Sequence, residues 1–222
     1  MPTINALDGH KPALRVIKNA KSRGMRVVVA VDNRTSDGTA EAFAPFVDCF
    51  VPFPNTVPYC EEIMDELVAE ANTPWCFWLC DDEEPSEQLW RFVRGVHRET
   101  EVIYRPQIIS PLPGWSGIYA PLHTYQPRIF PTGSIQWPGG GLDILPLRAL
   151  PERDIVPVLW HYNLWASRES RETKTAAHEK AWMEAWGHHP WPPSSRKAYL
   201  FEDYPGETKP LDEWRKYMPR NS

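Results

Sequence analysis

The sequence predicts a single α/β domain: a mostly parallel central sheet flanked by helices, a late C-terminal helix and an irregular tail. Three observations carry that prediction. "MRVVVAVDN" (25–33) is a continuous β-branched run, as expected of a strand buried on both faces. Helical periods of about a dozen residues alternate with such runs, the pattern of βαβ units. The chain has 222 residues, 42% hydrophobic and 24% charged, which suits one filled core better than a disordered chain.

Each element follows from its residues. "KPALRVIKNAKSRG" (11–24) sets Leu14, Val16, Ile17 and Ala20 at near-helical spacing and stops on Gly24, so it reads as a helix. After the 25–33 strand, "RTSDGTAEAFAPF" (34–46) supplies a polar turn and a second helix, capped by Asp37 or Thr39. "DCFVPFP" (48–54) is a short extended piece. "PYCEEIMDELVAEAN" (58–72) is amphipathic, with Ile63, Leu67, Val68 and Ala71 along one side. "WCFWLC" (75–80) is another apolar strand. Beyond Gly95 the pattern becomes turn-rich with short extended runs. The helical period returns from about Ser167 to Gly187, with Ala177, Ala181 and Ala185 at one spacing. The organisation is thus a βαβ half over 1–95, a second half with the late helix over 96–189, and a Pro- and Trp-rich tail over 190–222 folded back on the same domain.

Composition narrows the function. A net charge of −5 argues against a broad footprint for polyanions, although a local strip of Arg91, Arg94, Arg98 and Arg105 remains a candidate for DNA contact. No apolar run approaches the length of a membrane span, and "MPTINALDGHKPALR" lacks the form of a secretion signal. The expectation is a cytoplasmic protein with no membrane anchor. Cys49, Cys60, Cys76 and Cys80 form no paired CxxC pattern and read as reduced thiols.

Ligands of open α/β sheets sit beyond the carboxyl ends of the strands, which singles out "VDNRTSDGT" (31–39) and "CDDEEP" (80–85). The second sets four carboxylates, Asp81, Asp82, Glu83 and Glu84, against an apolar run. Oxygen clusters of this kind suit a hard divalent cation shared with substrate phosphates. The bland reading is a solvated helix start with Pro85 in its first turn and acids near the positive end of the dipole.

These segments carry a resemblance. "VVVAVDNRTSDGTAEAF" resembles the "vvvDngStDgT" signature of GT-A-fold nucleotide-sugar glycosyltransferases, the family-2-like inverting group. "WCFWLCDDEEPSEQL" is similar to their "WvlflDaDErlspeL" block with its Asp-x-Asp metal motif. "YQPRIFPTGSIQW" resembles their "RlFrr" segment, and "LWHYNLWASRESRETKTAAHEKAW" their late His and Lys region. The likeness runs in order from Met1 to about Trp186.

The resemblance implies a GT-A-like, Rossmann-related domain whose first half, 1–95, binds a nucleotide-diphosphate sugar, UDP-sugar first among them, while the second half faces the acceptor. Asp32 would contact base or ribose, with Asn33 and Thr35 in the same turn. The metal, Mn²⁺ or Mg²⁺, would be held by Asp82, Glu84 and His161, with Asp81 on ribose or metal. Aligned from Trp75 without a gap, the family's first Asp falls on Cys80 and its second on Asp82; one inserted residue moves them to Asp81 and Glu83. Lys174 and Arg128 would meet the diphosphate or acceptor, and His178 stands one turn from Lys174. Where the family carries His-Glu this chain has "WPGGGLDILP", leaving Asp143 as the carboxylate available as base, with Gly139, Gly140 and Gly141 before it. Trp115, Trp137, Trp160 and Trp165 lie on the acceptor side and either stack on a ligand or fill the core.

The function expected is therefore metal-dependent sugar transfer from a nucleotide-diphosphate donor to an acceptor hydroxyl on a glycan, a protein or a modified DNA base, the last as in phage-type enzymes that act on hydroxymethylated DNA. The alternatives are a non-catalytic nucleotide- or glycan-binding module and a nucleotidyltransferase.

Overall fold

A computed structural model describes residues 1–7, 9, 11–53, 63–96, 101–119, 124–136, 145–146, 150–187 and 208–219. Three parallel strands form its first sheet: β1 (Pro2–Thr3), β2 (Val28–Asp32) and β3 (Cys49–Phe53), with β2 in the centre. Consecutive residues of β2 are buried on opposite faces, as its β-branched run requires. Val29 packs with Ala13, Ile17 and Phe43 of α1 (Ala13–Ser22) and α2 (Thr39–Phe43). Ala30 packs with Met64 and Leu67 of α3 (Met64–Ala71). Each large side chain buried this way contributes about 1.5–3 kcal/mol, so the helices are held to the sheet chiefly by these apolar faces.

The second sheet is mixed. β4 (Trp75–Phe77) and β5 (Glu83–Pro85) flank the acidic turn, and β6 (Ile103–Ile109), β8 (Thr124–Tyr125), β9 (Ile129–Pro131) and β12 (Glu152–His161) complete the sheet, while β7 (Ile118–Tyr119) lies outside it and β10 (Ile135–Gln136) pairs with β11 (Leu145–Pro146) as a separate ribbon. The order is β4-β9-β6-β12-β5, with β8 on β6 and with β6 and β12 parallel over their length. The sequence reads 75–80 as one strand. The structure confines it to 75–77, antiparallel to β9, and then turns through Cys80–Asp82 so that Glu83 N–H bonds the Cys80 carbonyl.

Helix ends obey their local signals. α4 (Glu87–Gly95) starts on Ser86, whose hydroxyl accepts from Leu89 N–H, so Pro85 ends a strand instead of opening a helix. α5 (Arg168–Trp186) starts on the Ser167 cap and stops on Gly187 at φ 69°. α2 begins at Gly38, φ 81°, and not at a side-chain cap; Asp37 accepts from Thr39 N–H and Oγ1 and from Leu7 N–H, tying the turn to the segment after β1. β13 (Thr208–Lys209) pairs antiparallel with β7, and Trp214 and Tyr217 pack on Trp160, whose indole donates to the Tyr217 carbonyl at 2.9 Å. No helix among the described residues is long and apolar enough to cross a membrane. The whole is a Rossmann-like α/β domain with helices on both sides of its parallel strands.

Candidate active site at the end of the acidic strand

Asp82 is the centre of the site. The turn at 80–82 points its carboxylate at the end of β12, where Oδ2 lies 3.3 Å from His161 Nε2 and 4.0 Å from Lys174 Nζ on α5. The backbone is pinned as well, since Tyr162 N–H donates to the Asp82 carbonyl at 2.8 Å. Burial pushes the carboxyl toward protonation, but the charges of His161 and Lys174 outweigh it and hold Asp82 well below the ordinary carboxylate range. The site thus presents a fixed anion with an imidazole and an ammonium converging on it. That refutes the solvated-helix reading of the acids: Asp82, Glu83 and Glu84 are 7%, 1% and 4% exposed.

Asp81 points toward the first sheet. Its Oδ2 accepts from Thr3 Oγ1 at 3.0 Å, Ile4 N–H at 3.2 Å and Lys11 Nζ at 3.0 Å. Thr3 is also the register partner of Val31, the residue before Asp32. β1 therefore separates Asp81 from the end of β2, and the two strand ends named from sequence lie at the same edge of the molecule. Asp32 is buried, and Arg34 grips it through Nε at 2.8 Å and Nη2 at 2.6 Å, with Arg34 N–H on the same carboxylate. Asn33 is exposed, its N–H bonded to the Phe53 carbonyl. Thr35 keeps its Oγ1 buried with no hydrogen-bond partner.

The two glutamates part company because adjacent strand residues face opposite ways. Glu83, in register with His161, turns to Arg128: Nη2 to Oε1 is 2.8 Å, while Oε2 takes Cys80 N–H at 2.9 Å. Glu84, in register with Trp160, turns to α1. Arg15 holds it through Nε and Nη2, both at 2.7 Å, and the Tyr162 hydroxyl donates to it at 2.8 Å. Burial and the Glu84 charge push the Tyr162 phenol far above its usual pKa. Two expectations change accordingly. Glu84 is not brought to Asp82 and His161, since Arg15 and Tyr162 occupy both its oxygens. Arg128, 7% exposed, is spent on Glu83 inside the core and does not reach out for a phosphate.

Of the other residues named from sequence, Asp143, Trp137, Cys60, Arg98 and the glycines 139–141 lie outside the described residues, as does the side chain of His178. Trp160 is fully buried and serves the core, whereas Trp115 and Trp165 are half-buried. Arg105 is claimed by Glu152 at 2.6 Å and Asp154 at 2.8 Å, so among the described residues its charge is compensated. Lys11, Arg15, Thr3 and Tyr162 were not legible as site residues: each acts across a long sequence separation, without a spacing signal.

This donor set can contribute part of a divalent-cation shell. Asp82 and His161 offer one carboxylate oxygen and one imidazole nitrogen, a combination that suits Mn²⁺ better than Mg²⁺ when substrate phosphates complete the shell. Among the described residues no three His, Cys, Asp or Glu side chains group to close a site by themselves.

No family model matches the chain, and no curated protein matches it in sequence. Among solved structures it is similar to S. aureus TarS 1–349, at 11% identity and a TM-score of 0.45, over 100% of this chain and 74% of that one. Likeness at that level leaves the site's chemistry to be argued from its own residues.

Proposed function

We propose that this protein is a glycosyltransferase that takes a sugar from a nucleotide diphosphate, UDP-sugar first among candidates, and passes it to an acceptor hydroxyl. One observation carries the reading: a buried carboxylate, Asp82, stands between His161 and Lys174 at the carboxyl edge of the sheets, on the edge where Asp32 ends its strand. The resemblance of the 27–43 and 75–89 segments to donor-binding blocks supports the same assignment.

In this reading the donor's nucleoside lies along the Asp32–Thr35 turn, where the unpartnered Thr35 hydroxyl is available to it. The diphosphate lies toward Lys174, a point charge suited to the leaving group as negative charge builds on it. Asp82 and His161 would hold Mn²⁺, or Mg²⁺, which when bound supplies further charge neutralisation for the diphosphate. Transfer with inversion forms the bond from the acceptor oxygen to the anomeric carbon as the bond to the diphosphate breaks; the electron pair leaves with the diphosphate and a base accepts the acceptor's proton. Asp143 is the proposed base. A DNA acceptor draws no support from Arg105, which is paired with Glu152 and Asp154.

The test is isothermal titration with UDP-, GDP-, CDP- and dTDP-sugars, with and without Mn²⁺, followed by nucleoside diphosphate release. Binding of one donor with turnover that Asp82→Asn removes supports the reading. Failure of all four donors to bind overturns it, and tight binding with no hydrolysis or transfer reassigns the protein as a binding module.

A further inference from the structure

Beside β5, on the side of α1, lies a cleft that the donor and metal assignments above do not use. It encloses about 420 Å³, within the range of small-molecule sites, between α1 and the wall formed by Trp115, Tyr162, Trp165 and Met218. Its floor is the Arg15–Glu84–Tyr162 triad; Trp90 and Arg23 close one end, with the Arg23 guanidinium 5.3 Å from the Trp90 ring centre.

Charge decides the kind of occupant. The three cations that line the cleft each have a carboxylate of their own: Lys11 with Asp81 at 3.0 Å, Arg15 with Glu84 at 2.7 Å, Arg23 with Glu87 at 2.7 Å. A phosphate or a nucleotide therefore finds no uncompensated charge, and a strongly apolar ligand finds a floor of polar groups it cannot satisfy. What remains is a field of fixed, planar donors and acceptors beside aromatic faces. Trp115 is held there at φ 57°, a conformation a bulky residue adopts only when its surroundings impose it, by edge contacts with Trp160, Tyr162 and Trp165 at 5.0, 5.9 and 6.0 Å. Aromatic planes suit the C–H face of a pyranose, and the forked polar groups suit its hydroxyls.

We infer that this cleft binds a neutral carbohydrate, a hexopyranose unit of a glycan acceptor. Its role as acceptor site rests on the transferase reading; its binding of sugar does not. Lys11 connects the cleft to the acidic segment, because it lines the cleft and its ammonium bonds Asp81.

The experiment labels the full chain with 5-fluorotryptophan and follows the fluorine spectrum of its 11 tryptophans, with Trp115→Phe and Trp165→Phe as assignments. Methyl glucoside, galactoside and mannoside are titrated into the millimolar range, and uridine and UDP are titrated separately. The expected result is a saturable shift of the Trp115 and Trp165 signals with at least one glycoside, weakened roughly tenfold in Asn19→Ala, which removes a rim amide, in a variant whose circular dichroism is unchanged. No shift with any glycoside overturns the inference, and so does a shift produced by uridine but not by sugar. A glycoside shift in a protein that binds no nucleotide sugar leaves the cleft standing and removes the transferase reading; donor binding without a glycoside shift does the reverse.

Discussion

Asp82 and His161 meet across the ends of β5 and β12, Oδ2 to Nε2 at 3.3 Å, although 79 positions separate them in the chain. Asp82→Asn keeps the shape and removes the anion. Transfer should fall by roughly 10²-fold or more, with donor affinity reduced and the far-ultraviolet spectrum retained. A variant that transfers at the wild-type rate would exclude Asp82 from the chemistry.

Thr35→Val separates binding from folding. Its Oγ1 is buried and unpartnered, so replacing it by a methyl costs little stability, while a donor that uses the hydroxyl loses about 1 kcal/mol of affinity. Denaturant midpoints and donor titrations on the same preparation check both halves.

The Glu83–Arg128 pair is structural in this account. Arg128→Ala strands a carboxylate that is 1% exposed and should cost about 3–5 kcal/mol in urea unfolding. Glu83→Gln, which leaves an amide able to accept from Arg128, should cost less.

Tyr162 sets an alkaline limit. Its folded pKa lies above the unfolded tyrosine value of about 10, so its contribution to stability is complete below that pH and is lost as pH rises further. Tyr162→Phe should flatten the fall in stability above pH ~10, measured by thermal unfolding in matched buffers; an unchanged slope would contradict the Glu84 contact.

Two glycines should respond with opposite sign. Gly38 has room for a methyl group but sits at φ 81°, so Gly38→Ala costs about 1–2 kcal/mol. Gly95 ends α4 in open space without a positive φ, and Gly95→Ala should stabilise by roughly 0.5–1 kcal/mol.

How far the sequence carries depends on the range of the interaction. The strand at 28–32, the helix ends at Ser167 and Gly187, and the buried run before Asp81 are local consequences of β-branching, capping and hydropathy, and all are legible. The destinations of the four acids are not. Whether Glu84 faces a metal or Arg15 depends on where the chain leaves β4 after Phe77, and nothing in "CFWLCDDEEP" marks that point. Arg128 matches a family arginine in sequence, yet its partner lies 45 residues upstream in a strand whose register only the tertiary fold sets.

That register has a further consequence. Moved by one residue, Asp82 would stand opposite Arg128, Glu83 opposite Arg15 and Asp81 beside His161, and every guanidinium would still find an acid. Electrostatic matching is thus degenerate along 81–84 and cannot choose the alignment. The choice falls to the anchors at either end, the Thr3–Ile4–Lys11 clasp on Asp81 and the Ser86 hydroxyl on Leu89, which act as mechanical stops for an otherwise slippery strip of like charge.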